Sequence, residues 1–280
     1  MAMSPIYLFY HYSHSFGDTL SAEIVAKIIG TKDFPSVNGW VDDSKSHTRI
    51  FQRHAKPEPL PDTRLLALGS IFHNIKQGDV VWGTGINPKW QSLHTPCVQP
   101  DIRAVRGPLT RNFLQRRYGW EVPEIYGDPA ILMPELFPEL KPKPLKDYTV
   151  ILQHNDEEYA REIQKSDNNN IFYCQRPHRK PWREVIDNIL AARLVISSSL
   201  HAIIIAEMFG IPARWLANPE LPSTETEAVF KFNDYYMSSG REPYQLSLSV
   251  EQALNHGGTE KPSGLNKKLL LEAFPRELFA

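Results

Sequence analysis

The chain has 280 residues, enough for one large domain or two modest ones. Its 41% hydrophobic and 22% charged content is that of a soluble globular protein, and no apolar run approaches the ~20 residues needed to span a bilayer. A formal net charge of −1 gives no electrostatic case for nucleic acid, and two cysteines, Cys97 and Cys174, form neither a disulfide framework nor a metal cluster.

The first residues lack the basic stretch and long apolar run of a secretory signal, so a cytoplasmic protein is expected. Ile6 to Tyr12 reads as a strand. Ser15-Phe16-Gly17-Asp18 leads into a helix with Leu20, Ile24 and Ile28 on one face, Asp18 as its N-cap, Phe16 as a hydrophobic staple and Gly30 as its stop. Residues 31 to 64 read as an irregular connection. Leu65 to Leu68 and Val80 to Trp82 are short apolar strands, each running into glycine: Gly69-Ser70 and Gly83-Thr84-Gly85. The second turn, with Gly85, is a weak phosphate-loop signal that a tight turn explains as well. Ile102 to Val105 is a further strand, and Gly107-Pro108 opens a helix carrying Leu109, Phe113 and Leu114. Arg103 and Arg106 flank that strand end. A guanidinium there suits a carboxylate or phosphate, or a pairing with Asp101 or Glu121. Asp128, ahead of Pro129, reads as a turn residue.

Pro138, Pro142 and Pro144, set among lysines, mark residues 137–147 as a linker. The alternation then repeats, with strands at Tyr148 to Gln153 and Ile171 to Tyr173, a helix from Trp182 to Ala192 and a strand at Leu194 to Ile196. Ser197-Ser198-Ser199 follows, then Leu200-His201 opening an apolar helix to Met208, with Gly210 closing it and a strand at Ala213 to Leu216. Strand, polar turn and helix N-terminus form an anion site, where Ser198, Ser199 and the leading amides converge and His201 stands ready to give a proton. Equally, the serines cap the helix and the histidine is a satisfied core residue. Lys231-Phe232-Asn233-Asp234-Tyr235-Tyr236 gathers aromatic faces with Lys231 and Asp234, which fits a sugar ring or a buried cluster. Ser263-Gly264 precedes a terminal helix with Leu265, Leu269, Leu270 and Phe274 along one side and Lys267 and Lys268 beside it. That is the layout of an interfacial helix or of one packed on a domain, and packing is the expectation.

Two β/α alternations joined by a Pro-rich stretch predict an α/β protein of two Rossmann-like domains facing across a cleft: residues 1–136, linker 137–147, residues 148–262, and a terminal helix over 263–280. The polar turns after the strands would line that cleft. No dinucleotide fingerprint, Walker A loop, zincin motif or nucleophile elbow is present.

Taken together and in order, Ser15-Phe-Gly-Asp18, Leu68-Gly-Ser70, Asp79 to Ile86, Ala104 to Thr110, Gly127-Asp-Pro129, Ser198-Ser-Leu-His201 and Lys231 to Tyr236 resemble the polysaccharide pyruvyltransferases. The nearest resemblance is to the ketal pyruvyltransferases of exopolysaccharide assembly, the xanthan and succinoglycan type. The resemblance implies a GT-B-like architecture, with phosphoenolpyruvate as donor and a hexose, in some members lipid-carried, as acceptor. It implies a ketal across two hydroxyls and released phosphate, with no metal and no cofactor beyond the co-substrate. It maps the family histidine onto His201 and an arginine onto Arg106. Many members carry arginine where this chain has Ser199, and Ala202 replaces a usual glycine. The mechanism so implied makes His201 the proton donor, Arg106, Ser198, Ser199 and Gly85 the donor site, Asp18 a base, and Lys231 with Asp234 the acceptor contacts. A nucleotide-sugar glycosyltransferase of the same fold and a non-catalytic glycan- or anion-binding scaffold are the competing expectations.

Overall fold

The computed structural model describes residues 7–10, 16–30, 36–38, 63–88, 98–152, 171–173, 182–217, 227–243, 246–259 and 262–279. Ser15, Gln153 and both cysteines fall outside them, as does the side chain of Asp18.

Two all-parallel sheets organise these residues. The first has the order β2-β1-β3-β4-β5, built from β1 (Tyr7–Tyr10), β2 (Ser36–Asn38), β3 (Arg64–Leu66), β4 (Val80–Trp82) and β5 (Asp101–Ala104). The second has the order β7-β6-β8-β9, from β6 (Thr149–Leu152), β7 (Ile171–Tyr173), β8 (Val195–Ser197) and β9 (Ala213–Trp215). The helices are α1 (Phe16–Ile29), α2 (Pro108–Tyr118), α3 (Met133–Leu136), α4 (Trp182–Leu190), α5 (Leu200–Met208), α6 (Glu227–Ser238), α7 (Val250–His256) and α8 (Lys267–Glu272).

Parallel strands buried on both faces need apolar side chains at successive positions, and the alternating direction of those side chains divides the core. Leu8, Leu65, Val80 and Trp82 point to one side of the first sheet; Phe9, Leu66, Val81 and Ile102 form a separate cluster on the other. In the second sheet Ile151 and Val195 face inward, while Val150, Leu152 and Ile196 face outward with Leu216. The two inward sets belong to one continuous cluster, joined through α1, α4, α5 and the turn Pro129–Leu132. Helix α5 lies in the middle of it with all nine residues buried, the position expected of a helix that is apolar all round.

The structure revises several expectations. Helix α1 begins at Phe16, so Asp18 sits inside its first turn and is not its N-cap, and Phe16 is a buried core residue rather than a staple outside the helix. The stretch read as irregular holds β2, which pairs in parallel with β1. The aromatic run 231–236 lies on a helix, α6, and a further helix, α7, is capped by Ser249. Strand β3 starts at a charged residue: Arg64 is buried at the strand's beginning, in a bidentate pair with Asp79 at 2.5 and 2.9 Å. Residues 137–147 run between the two sheets and are tied to the end of α4 by Lys143 and Leu145 amides donating to Leu190 and Ala191 carbonyls.

The terminal segment crosses back to the first half. Trp82 Nε1 donates to the Leu270 carbonyl at 2.7 Å, Phe274 meets the Trp82 ring edge-on at 4.9 Å, and Arg276 donates to the Ile28 carbonyl at 2.9 Å. Leu270 and Phe274 are buried, so the apolar side of α8 is packed onto the first sheet's layer, while Leu269 faces outward. No helix among the described residues is long and apolar enough to cross a membrane.

Candidate active site

The turn after β8 is stitched from its own serines. Ser197 Oγ donates to the Ile151 carbonyl at 2.5 Å and accepts from the Ser199 amide at 2.9 Å, fixing the exit of the strand. Ser199 occupies the N-cap of α5 in an extended conformation, and its hydroxyl makes no capping bond. The leading amides of α5 therefore have no intrahelical acceptor and no serine cap, and they carry the positive end of the helix dipole. Ser198 and Ser199 are both buried beside them.

His201, second residue of α5, is brought against the start of α1. Phe16 meets its ring edge-on, with centroids 6.5 Å apart. Gly17 lies over the ring face: a Cβ there would sit 2.7 Å from Cε1 and closer still to Cγ and Nδ1, so only glycine fits without moving the imidazole. Opposite, His201 Nε2 stands 3.4 Å from Asp128 Oδ2. Asp128 is fully buried; its Oδ1 accepts the Ala130 amide at 3.0 Å and so caps the turn Pro129–Leu132.

Asp128 arrives there because the chain beyond β5 continues the sheet. Val105 bridges Tyr126, and the Gly127 amide donates to the Val105 carbonyl at 3.1 Å, which carries residue 128 to the carboxyl edge of the strands. Gly83, at φ 89°, allows Pro129 to pack where a side chain would stand: a Cβ would lie 2.5 Å from Pro129 Cδ.

On the far side of Thr84 lies a second polar cluster. Gly85 leaves room for the Arg106 guanidinium, which a Cβ would meet 2.7 Å from Nε and closer at Cζ. Arg106 is 1% exposed; Nε donates to Asp234 Oδ2 at 3.1 Å and Nη1 to Ser70 Oγ at 2.7 Å. Asp234 also accepts from the Thr110 amide at 3.0 Å and the Thr110 hydroxyl at 2.7 Å. The donor-grip arginine and the acceptor-side aspartate anticipated from sequence are thus each other's partner, in a closed network that ties α6 to the Gly85 turn. The Arg106 pairing is neither with Asp101 nor with Glu121; Asp101 pairs instead with half-buried Arg103. Phe232, Tyr235 and Tyr236 are buried, with Phe232 stacked on Trp215 at 4.3 Å, so their faces are core surface. Lys231 is half-buried, its ammonium 5.9 Å from the Phe232 ring.

In the last turn of α5, buried Glu207 is held by Arg241 at 2.8 and 3.0 Å, Tyr235 at 2.7 Å and Thr259 at 2.6 Å. Burial pushes the Tyr235 phenol well above its ordinary range, and the Glu207 carboxylate adds to that.

Of the sequence candidates, the structure brings Ser198, Ser199 and His201 together at one helix start, with Asp18 on the helix that begins against the ring. Gly85, Arg106 and Asp234 form the neighbouring closed cluster. Asp128 and Gly17 are the residues that sequence reasoning undervalued. Both stood in quoted motifs, but only the fold shows that each touches the same imidazole.

An uncharacterized protein, L143, of Acanthamoeba polyphaga mimivirus is 29% identical over 179 residues, which make up 62% of this chain and 60% of the relative. A family profile described as polysaccharide pyruvyl transferase matches residues 10–220, a span that runs from the first strand through His201 and the last strand of the second sheet. The chain belongs to the polysaccharide pyruvyl transferase family.

Proposed function

We propose that the protein transfers pyruvate from phosphoenolpyruvate to two hydroxyls of a hexose as a cyclic ketal, releasing phosphate, in the synthesis of an exopolysaccharide or other cell-surface glycan. The observation that carries this reading is the seat of His201, an imidazole in the first turn of a helix whose leading amides have no intrahelical acceptor and no cap from Ser199. This reaction wants an anion and a proton donor at the same place.

His201 gives a proton to the methylene carbon, which becomes the ketal methyl group. One sugar hydroxyl adds to C2, the C2–O bond to phosphate breaks, and the second hydroxyl closes the ring. Of the two hydroxyl protons released, one replaces that of His201 and one leaves with phosphate. Ser198, Ser199 and the amides of α5 hold the donor's charge, and Asp18, in the first turn of α1, serves as base to the attacking hydroxyl. Arg106 acts from beneath Gly85, keeping that turn in place with Asp234 as its counter-ion, and Lys231 on α6 is the acceptor-side cation. The substrates meet in a GT-B-like cleft between the two sheets' domains. The reading needs no metal and no cofactor apart from the co-substrate. It places the enzyme in the cytoplasm, at the inner membrane face when the acceptor is lipid-linked.

The test is incubation with phosphoenolpyruvate and a panel of hexosides, following phosphate release and the ketal by mass spectrometry. His201→Gln should lower turnover by about 10²–10⁴-fold while donor binding persists. No phosphate release with any hexoside, together with a melting temperature raised by nucleotide sugars and not by phosphoenolpyruvate, would replace the reading with a glycosyltransferase.

A further inference from the structure

We infer that Asp128 is the positioning residue of His201 and that Nδ1, not Nε2, is the ring nitrogen that works on the substrate, an inference that rests on His201 being the proton donor above.

Three observations converge. First, Nε2 is enclosed, so the 11% of the side chain that reaches solvent lies on the rest of the ring. With Nε2 turned to Asp128, Nδ1, against which Gly17 packs, is the ring nitrogen left for a bound substrate. Second, Nε2 and Asp128 Oδ2 are both enclosed, and neither has a hydrogen-bond partner among the described residues; they face each other at 3.4 Å. A closure of about 0.3–0.5 Å with a small turn of the ring into line makes that contact a hydrogen bond, and catalytic pairs commonly tighten and align in this way once substrate is bound. Third, Asp128 caps the turn Pro129–Leu132 through Oδ1 alone. An asparagine would do the capping equally well, so the second carboxylate oxygen, turned toward the imidazole, is surplus to that task.

The division of labour follows. Asp128 accepts Nε2–H, which fixes the tautomer and the ring orientation. Nδ1 then carries the transferable proton: the Nδ1–H bond breaks as the bond to the substrate's methylene carbon forms, and the ring is left neutral with Nε2–H still facing the carboxylate. Gly17 packs on the ring face and Phe16 on its edge, so rotation of the imidazole away from Asp128 is opposed from both sides.

The test is Asp128→Asn, which keeps the capping oxygen and removes the carboxylate. With histidine labelled in both ring nitrogens, the neutral wild-type ring should show the Nε2–H form, and phosphoenolpyruvate should move the Nδ1 signal and leave Nε2 in place. In Asp128→Asn the tautomer should shift away from Nε2–H, and kcat should fall on the order of 10²–10⁴-fold, as when an orienting carboxylate is lost, with the donor KM nearly unchanged. A wild-type ring found as Nδ1–H, ring signals identical in the variant, or an unchanged kcat overturns the inference. Should the variant not fold, the wild-type tautomer alone decides. If ring signals switch in the variant but phosphoenolpyruvate is never turned over, the Asp128–His201 pair stands and the donor assignment falls.

Discussion

Gly17→Ala tests the packing at the candidate site through two effects of opposite sign. Residue 17 is the second residue of α1, and its φ is not in the left-handed region. An alanine there should help the helix by about 0.5–1 kcal/mol if nothing else changed. But its Cβ would stand 2.7 Å from His201 Cε1 and nearer to two other ring atoms, well inside the ~3.5–4.0 Å of an ordinary carbon contact. The ring has little room to retreat, with Phe16 on its edge and Asp128 beyond Nε2. Overpacking of this kind costs about 1–3 kcal/mol. The net change is therefore a loss of roughly 0–2.5 kcal/mol in the wild type. In a His201→Ala background the obstacle is gone, and the same substitution should stabilise by up to about 1 kcal/mol. Urea unfolding of the four proteins in this double-mutant cycle measures the difference directly. Equal changes of the same sign in both backgrounds would refute the close approach of Gly17 to the imidazole, and with it the clamped ring.

Arg106→Ala should act first on stability, with a loss of about 3–5 kcal/mol, because it leaves the buried Asp234 carboxylate without its counter-ion; a fully stable variant in urea unfolding would contradict the closed network. Deleting residues 263–280 should yield a destabilised or insoluble protein, since it exposes the Trp82 ring and removes its bond to the Leu270 carbonyl; a folded truncation that has lost only binding to anionic liposomes would make α8 a membrane contact instead. Because burial and Glu207 raise the folded Tyr235 pKa above its ordinary value of 10.0, the folded state holds that proton more tightly than the unfolded chain. The stability so gained is complete below pH 10.0 and is lost as pH rises further. Tyr235→Phe should lower neutral-pH stability by about 0.5–1.5 kcal/mol and flatten the alkaline fall, as followed by thermal unfolding across pH.

Local pattern in the sequence determined much of this protein. Short apolar runs ending in glycine or serine announced β4 and β8 almost to the residue, because a strand buried on both faces must be apolar throughout and must leave the sheet at a turn. The block from Val195 to Leu216 carried strand, serine turn, apolar helix and strand in one reading, and with it the position of His201 at a helix start. Strand β2 escaped notice since Ser36-Val37-Asn38 is too short and polar to show a period; its place comes from backbone pairing with β1. Tertiary structure alone decided who meets whom. Arg106 finds Asp234 at a separation of 128 residues, and the Trp82 indole finds the Leu270 carbonyl at a separation of 188. His201 finds Gly17 on one side and Asp128 on the other. Periodicity reports which face of an element is apolar, but a charge or an imidazole carries no mark of its partner. Burial forces such groups to pair, and the choice of partner is made by the crossing of elements that lie far apart in the chain.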